Sequence, residues 1–155
     1  MKEIGGSLKA DGLKLCLAVS RFNDFFTKQL VDGALDCFVR HGGKDDAITV
    51  IWVPGANELP MAVNKAAQSG KHDAVVALGV VIEGATRHAD LINGQVSRAL
   101  GSIATTAGIP VINGVVAADN MEQAIERCGT KAGNKGWTAA LAAIEMANVY
   151  RLIEK

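Results

Sequence analysis

Short apolar runs alternate with longer amphipathic segments along almost the whole chain, and this alternation restricts the fold more than any other feature. The run at residues 73–80 is nearly continuous in apolar residues, as expected of a strand buried on both faces of a sheet. The longer segments carry helical spacing and end signals, such as Gly42-Gly43 after the first of them. Strictly alternating strands and helices predict an α/β fold in which helices cover both faces of a parallel sheet.

The pattern predicts four strands and five helices. The strands are expected at residues 13–19, 47–53, 73–80 and 109–116. The helices are expected at residues 24–40, from the turn around Pro60 to residue 69, 90–106, from an Asp119 cap to residue 127, and 134–153. The segment 7–10 is a candidate edge strand, on this chain or on a neighbouring subunit. No linker or repeat interrupts the 155 residues, which predicts a single domain, 1–155.

The charge of the chain excludes several classes of partner. Lys+Arg and Asp+Glu balance at 16 each, so no basic field is present to hold nucleic acid or an anionic membrane. Aromatic residues make up only 5%, which further argues against base stacking. No apolar run approaches the ~20 residues of a membrane span, and no leader-like segment opens the sequence. The sequence therefore predicts a cytoplasmic protein that binds neither nucleic acid nor membrane.

The three cysteines are odd in number and far apart, which is typical of neither a disulfide framework nor a metal cluster. Cys16 lies in a strand pattern and Cys37 in a helical one. Both are predicted to be small, buried apolar side chains, because free cysteine usually behaves in this way. The expected compartment is therefore a reducing one.

The unusual residues of the sequence cluster where the predicted strands end. Residues 20–23 follow the first strand, 53–58 the second and 82–88 the third, and the fourth carries Asn113-Gly114. In an open α/β sheet the ligand binds beyond the carboxyl ends of the strands, near a topological switch point. We therefore expect these four segments to converge on one rim that forms a binding site.

His88 is the acid–base candidate of this rim, because imidazole gains and loses a proton near neutral pH. A single histidine in a loop more often has no function, and the placement beside Gly84 and Thr86 is what favours a functional role. No cysteine or second histidine lies at metal-ligand spacing from it, so no metal is expected. His41 and His72 are predicted to be surface residues.

Residues 127–136 combine three cations with three glycines between two predicted helices. Such a segment can present backbone N–H groups and positive charge to a phosphate. It is not a P-loop, because no Gly-Lys-Ser/Thr sequence follows a strand. The alternative is a turn between helices with basic side chains on its solvated face, and spacing alone does not decide between the two.

Several of these segments resemble the signatures of the lumazine synthase family. The resembling segments are 20–23, 53–56, 84–88, 122–127, 129–137 and 143–148. They cover nearly the whole chain in order, and the segment 122–136 is the most specific. The resemblance implies a three-layer α/β/α sandwich with a four-stranded parallel sheet in the flavodoxin-like order 2-1-3-4.

The resemblance also implies an activity. This is the condensation, without cofactor or metal, of 5-amino-6-(D-ribitylamino)uracil with 3,4-dihydroxy-2-butanone 4-phosphate to 6,7-dimethyl-8-ribityllumazine. By position the resemblance assigns proton transfer to His88. It assigns the phosphate substrate to Gly84, Ala85, Thr86, Lys135 and, from a neighbouring subunit, Arg127. It assigns the pyrimidine and the ribityl chain to Phe22, Ala56, Asn57, Glu58, Val80, Val81, Ile82 and Asn113.

Positions that depart from the family pattern cluster at the same rim. They are Trp52, Asn57, Glu83, Arg87, Ala89, Leu91 and Asn113. A polar Asn113 in place of an aromatic residue should weaken contact with the pyrimidine by ~1–3 kcal/mol. An acidic Glu83 should raise the cost of binding an anion nearby. The alternative hypothesis is therefore a catalytically weakened or inactive shell protein, engineered or repurposed. A third hypothesis is a flavin-binding module, but it gives His88 and Arg127 no function.

Assembly is implied in the same way. Members of the family form pentamers with sites between adjacent subunits, and many stack twelve pentamers into an icosahedral shell of sixty subunits. The uninterrupted turn 129–136 resembles that of the shell formers, so the expected assembly is the sixty-subunit shell. Glu83 is expected to face its interior, and riboflavin synthase is a candidate partner.

Overall fold

The computed structural model describes residues 1–84, 87–129 and 133–155. Four strands lie within them: β1 (Leu15–Ser20), β2 (Ile48–Val53), β3 (Ala74–Ile82) and β4 (Val111–Ala118). They form an all-parallel sheet in the order β2-β1-β3-β4. The predicted fold class and strand order are confirmed.

Helices cover both faces of this sheet. They are α1 (Asp24–Arg40), α2 (Leu59–Gln68), α3 (His88–Thr106), α4 (Met121–Arg127) and α5 (Lys135–Ile153). One apolar core joins β1 and β3 with α1, α4 and α5, and a second joins the same strands with α2 and α3. The result is a three-layer sandwich with the sheet in the middle. Among the described residues, no helix combines the length and the apolar character needed to cross a membrane.

The two central strands explain why the sequence shows continuous apolar runs. Leu17 in β1 faces the core with α1 and α5, and its neighbour Ala18 faces the core with α2 and α3. All six residues of β1 are buried, and so are the first eight of the nine in β3. Because successive side chains of a strand point to opposite faces, both faces of a central strand must be apolar.

Some element boundaries differ from the prediction at points that matter for the site, although α1 begins and ends as predicted. β3 continues two residues beyond the predicted end, to Ile82, because its pairing with β4 extends to Ala118. α3 begins at His88 rather than at residue 90. His88 is therefore the first residue of a helix and not part of a loop.

Two further boundaries have local chemical causes. α4 is capped by Asn120, whose Oδ1 accepts a hydrogen bond from the backbone N–H of Gln123 at 2.9 Å. The predicted cap at Asp119 is wrong; that carboxylate accepts instead from the side chain of Gln123 at 3.4 Å. β4 begins at Val111 rather than at residue 109, because Pro110 has no N–H to donate to the ladder.

The N-terminal segment forms no strand on this chain, so that part of the edge-strand prediction is wrong. Asn148 in α5 donates instead from Nδ2 to the carbonyl oxygens of Ser7, at 2.8 Å, and Lys9, at 3.0 Å. Gly6 lies so close to the carbonyl oxygen of Glu145 that a side chain there would overlap it. These contacts hold the segment against α5. A strand added to a neighbouring subunit stays a prediction.

All three cysteines are buried, which confirms the prediction for Cys16 and Cys37 and extends it to Cys128. Burial raises the pKa of each thiol to about 11. The three thiols therefore stay protonated at neutral pH, and none has the thiolate character that a nucleophile needs.

His41 and His72 are both half-buried, so each lies at the surface as predicted but is partly covered. His41 follows α1, and its Nδ1 lies 2.6 Å from the carbonyl oxygen of Cys37. Its ring packs edge-on against Trp137 with ring centroids 5.7 Å apart. Burial, and after it the charge of Lys71, lower the pKa of His72 below its ordinary value. His41 therefore also contributes to packing between α1 and α5.

α1 and α5 cross at very short range because glycines remove side chains at the contact. Gly136, in the first turn of α5, lies against the backbone of Leu30, whose carbonyl oxygen would overlap any added Cβ. Gly33 in α1 faces the side chain of Asn134 in the same way. This crossing fixes the start of α5, and with it the base of the segment that joins α4 to α5.

Candidate active site

A cavity of about 520 Å³ opens at the carboxyl ends of β1, β2 and β3. In the sheet, β2 lies beside β1 on one side and β3 lies beside it on the other. The connections after β1 and β3 therefore diverge, which is the topological switch point at which open α/β sheets bind ligands. The volume suits a small organic molecule.

Most of the predicted site residues line this one cavity. Those that line it are Phe22, Ala56, Asn57, Glu58, Val80, Val81, Ile82, Gly84 and His88. Ala85 and Thr86 lie outside the residues that the structure describes. Asn113, Arg127 and Lys135 are not among its lining residues. The segments after the first three strands thus converge as predicted, while the remaining residues lie elsewhere on the chain.

Asn23 holds the first loop of the cavity in place. Its Nδ2 donates to the carbonyl oxygen of Val80 at 2.8 Å and so spans the switch point from the end of β1 to β3. Its backbone is left-handed, with φ 61°, and among the described residues no other non-glycine residue has a positive φ. Asparagine tolerates this conformation better than most side chains, yet the conformation remains costly for an L-residue. A costly backbone beside a cleft favours a role in holding the site in shape.

Phe22 precedes Asn23 in this loop and is 71% exposed. The loop is tied to the end of β2, because the backbone N–H of Arg21 donates to Val53 at 2.7 Å and that of Phe22 to Pro54 at 3.0 Å. An aromatic ring that is held in place and yet uncovered can pack against a planar ligand ring.

The second wall is the 3₁₀ turn Ala56–Glu58, which follows β2. The backbone N–H of Glu58 donates to Gly55 at 3.2 Å, and the next residue, Leu59, is fully buried and anchors the turn in the core. Asn57 is exposed and Glu58 is half-buried. The turn therefore brings an amide and a carboxylate, both able to bind hydroxyl groups, to a cavity whose other walls are largely apolar.

His88 brings a proton-transferring group and a helix end to the same wall. Its neighbour Arg87, at the N-cap position of α3, makes no side-chain hydrogen bond to the helix. Arg87 therefore provides no side-chain cap for the N–H groups of the first turn, and with the helix dipole these groups favour an anion at this end. Gly84 lines the cavity beside it. This wall suits proton transfer next to a phosphate.

Arg127 and Lys135 lie at the two ends of the segment that joins α4 to α5. One residue inside them, the backbones of Cys128 and Asn134 form an isolated antiparallel bridge. Both cationic side chains are exposed. Arg127 also donates from Nη1 to the carbonyl oxygen of Ala117 near the end of β4. The two cationic residues thus flank this bridge, outside the cavity of their own chain.

Asn113 and Gly114 do not lie at the rim, so their predicted convergence with the other three segments is wrong. β4 continues to Ala118, and Asn113 pairs with Ala77 in the middle of β3. The side chain of Asn113 is exposed, and its Oδ1 accepts from the backbone N–H of Val115 at 3.0 Å. A contact between Asn113 and a ligand bound by a neighbouring subunit stays a prediction.

The cavity also contains residues to which the sequence analysis gave no ligand role. They are Ser20, Asn23, Pro54, Gly55, Ala89 and Ile92. Most of them lie inside the segments already singled out, so position in a rim segment was the available signal. Ile92 lies one helical turn after His88, a relation that only the true start of α3 reveals. Across residues 1–84, 87–129 and 133–155, no three His, Cys, Asp or Glu side chains cluster as metal ligands would.

The fold and the cavity together define a class of protein. It is an α/β sandwich with a cavity of small-ligand size at the switch point between β1 and β3. An exposed aromatic ring lies on one wall and an imidazole at a helix N-terminus on another.

Comparison with known proteins identifies the family within that class. Residues 12–151 match the family described as 6,7-dimethyl-8-ribityllumazine synthase. Proteins of that name from Chlorobaculum tepidum, Chlorobium phaeobacteroides and Chlorobium limicola are 58%, 54% and 52% identical to this chain. Each comparison spans 151 residues, which are 97% of this chain and 97% of the relative. The chain belongs to this family, and the resemblance seen in its motifs is confirmed.

The clamp made by Asn23 can be tested by its effect on stability. Asn23→Ala removes the hydrogen bond to Val80 and leaves a side chain with no compensating contact in the left-handed region, so the free energy of unfolding should fall by about 1–3 kcal/mol. Asn23→Gly keeps that backbone without strain and loses only the bond, so it should lose about 1 kcal/mol. Urea unfolding at one protein concentration measures both. A smaller loss for alanine than for glycine would contradict this account.

Proposed function

We propose that this chain catalyses the reaction for which its family is named, the formation of 6,7-dimethyl-8-ribityllumazine. Its substrates are 5-amino-6-(D-ribitylamino)uracil and 3,4-dihydroxy-2-butanone 4-phosphate. The observation that carries the proposal is that one cavity gathers an exposed ring, two hydroxyl-binding side chains and an imidazole at the N-terminal end of a helix. Identities of 52–58% to proteins of that name support the active enzyme over an inactive shell protein.

The chemistry requires proton transfer at every stage. The primary amine of the pyrimidine attacks the ketone, and loss of water gives an imine. Loss of the proton at C3 of the butanone expels phosphate from C4, and the resulting enol tautomerises to a new carbonyl group at C3. The ribitylamino nitrogen attacks this carbonyl and closes the second ring with loss of a second water. His88 stands in the cavity wall where it can accept and return these protons. Holding both substrates in one cleft makes the first bond-forming step effectively intramolecular. The ring closure that follows takes place within one molecule.

The pyrimidine and the ribityl chain are assigned to the end of β1 and the turn after β2. The exposed ring of Phe22 would cover one face of the pyrimidine. Asn57 and Glu58 offer donor and acceptor groups to the ribityl hydroxyls. Val81 and Ile82, at the end of β3, complete the wall on the other side of the switch point.

The phosphate is assigned to the N-terminal end of α3, with Gly84, Ala85 and Thr86, and to two cations of a neighbouring subunit. In their own chain Arg127 and Lys135 flank the bridge between Cys128 and Asn134, and neither lines the cavity. A cyclic assembly with heterologous contacts brings such a surface onto the cavity of the next chain. A guanidinium fork offers paired donors and a permanent charge to the phosphate oxygens.

The proposal is tested by supplying both substrates at millimolar concentration. Lumazine absorbance and released phosphate should rise together, and each should stay flat when either substrate is omitted. Phosphate release without lumazine would indicate hydrolysis of the ester alone. The absence of both signals in a folded protein would overturn the proposed activity.

His88→Ala should lower kcat by about 10²-fold, the usual contribution of a general acid–base group. The KM values should change little, because the residues assigned to binding the pyrimidine, the ribityl chain and the phosphate all remain. His72→Ala is the matched control, since His72 is half-buried and lies outside the cavity, and its activity should be unchanged. Steady-state rates measure the effect. A loss of less than threefold for His88→Ala would remove His88 from the mechanism.

We infer further that the chain assembles into pentamers, that twelve pentamers form a sixty-subunit shell, and that riboflavin synthase is a candidate partner of that shell. Large apolar side chains that a single chain leaves exposed support assembly, among them Phe25, Met61 and Leu91. The short segment between α4 and α5 supports the shell. Light scattering and electron microscopy of the purified protein should show particles of sixty subunits. Isolated pentamers would contradict the shell, and monomers would contradict both levels of assembly.

A further inference from the structure

One side chain, that of Asn134, joins three parts of the structure at the base of the segment between α4 and α5. Its Oδ1 accepts a hydrogen bond from the backbone N–H of Trp137 at 3.1 Å and so caps α5. Its Nδ2 donates to the carbonyl oxygen of Gln29 in α1 at 2.9 Å. Its backbone pairs with Cys128 at the end of α4. A capping residue needs only the bond to Trp137. The bond to Gln29 and the bridge to Cys128 therefore indicate that Asn134 has a role beyond capping α5.

The surroundings of Asn134 are shaped to admit this side chain. A Cβ on Gly33 would overlap the amide group of Asn134. A Cβ on Gly129 would lie 2.9 Å from its Nδ2, and the backbone of Gly129 has φ 108°, which other residues rarely adopt. Two glycines from different elements therefore leave the space that the amide fills. The position of Asn134 is determined by its neighbours on both sides.

We call the contacts of Asn134 with Gln29, Trp137 and Cys128 the Asn134 clamp. The residues that flank this clamp are the two cations of the proposed phosphate site. Arg127 lies one residue before Cys128, and Lys135 lies one residue after Asn134. A bidentate phosphate contact depends on the relative placement of the two side chains. A fixed base for this segment supplies that placement.

We propose that Asn134 is a positioning residue for phosphate binding, because it fixes the backbone that carries Arg127 and Lys135. The proposal rests on the proposed function of that pair. Asn134 itself does not touch the substrate. Its loss leaves both cations present but allows their backbones to shift against α1, and a misplacement of that kind is expected to raise the KM for the phosphate substrate by about tenfold. The kcat at saturation and the KM for the pyrimidine should stay within twofold.

Two variants remove the clamp in different ways. Asn134→Asp keeps an oxygen that caps α5 but has no N–H for Gln29, and its carboxylate faces that carbonyl oxygen. Gly33→Ala leaves Asn134 unchanged and displaces its amide from the side of α1. Because the aspartate variant retains the helix cap, it separates positioning from simple loss of α5. Both should show the same selective rise in KM.

The matched control is Asn148→Ala, in the same helix. Asn148 also ties α5 to a distant backbone, through bonds to Ser7 and Lys9, but lies far along α5 from the cations. It should change neither KM. Arg127→Ala is the positive control and should raise the KM for the phosphate substrate at least as much as either clamp variant. The affinity of the assembled protein for inorganic phosphate, measured by calorimetry, should weaken in parallel in every variant that raises this KM.

The outcomes separate the inference from the function on which it rests. A selective rise in KM for Asn134→Asp and Gly33→Ala, with Asn148→Ala unchanged, supports the positioning role. If Arg127→Ala raises the KM but Asn134→Asp leaves both the KM and the phosphate affinity at wild-type values, the inference is overturned while the phosphate site stands. If Arg127→Ala itself changes neither quantity, the assignment of the cations is wrong and the inference falls with it. An equal loss of kcat and of affinity for both substrates would show a general structural role and overturn the inference as well.

Discussion

The parallel pairing of β1 with β3 is the interaction on which the rest of the structure depends. These strands are neighbours in the sheet but not in sequence. Along the chain α1, β2 and α2 separate them, and β2 pairs with the opposite edge of β1. Their burial on both faces gives the molecule its two cores. The same pairing opens a cleft, since the connections that follow the two strands lead away from one another. The binding site is thus a consequence of the strand order rather than an addition to it.

A cleft formed by diverging chains needs a bond across it, and Asn23 provides one. The amide bridge to Val80 joins the two strands where regular pairing between them ends. The left-handed backbone that this bridge requires turns the chain from β1 into α1 and leaves the ring of Phe22 at the cavity. The joining segment between α4 and α5 repeats the arrangement, with Asn134 fixing a functional segment to a helix of the core. In both places an asparagine amide bonds to a distant carbonyl group.

The sequence predicts the fold well because burial of the central strands on both faces is visible as continuous apolar runs. Leu17 and Ala18 alternate between two cores, and the apolar runs and helical segments follow directly from that geometry. The three rim segments are predictable because loops at strand ends carry the unusual residues. The end of a strand is less predictable, because it depends on the partner strand. For this reason β4 extends two residues beyond its predicted end. Asn113 lies inside both the predicted and the observed strand, so the prediction that it reaches the rim did not follow from the strand bounds.

Other features of the site depend on tertiary contacts that leave no periodic signal. The conformation of Asn23 depends on a carbonyl group 57 residues away, and the bond from Asn134 to Gln29 spans 105 residues. The start of α3 at His88 could not be read from capping preferences, since Arg87 makes no capping bond. Motif resemblance located these residues without explaining them. Their geometry supplies the explanation.

The burial of the three cysteines has a consequence for how the folded state can be followed. A thiol that is enclosed and protonated reacts slowly with alkylating reagents, and it becomes reactive only when the surrounding structure opens. Cys16 lies in the core with α2 and α3, whereas Cys37 and Cys128 lie in the core with α1 and α5. The chain therefore carries an intrinsic chemical reporter in each half of the sandwich. The relative labelling rates distinguish opening of one layer from opening of the whole molecule.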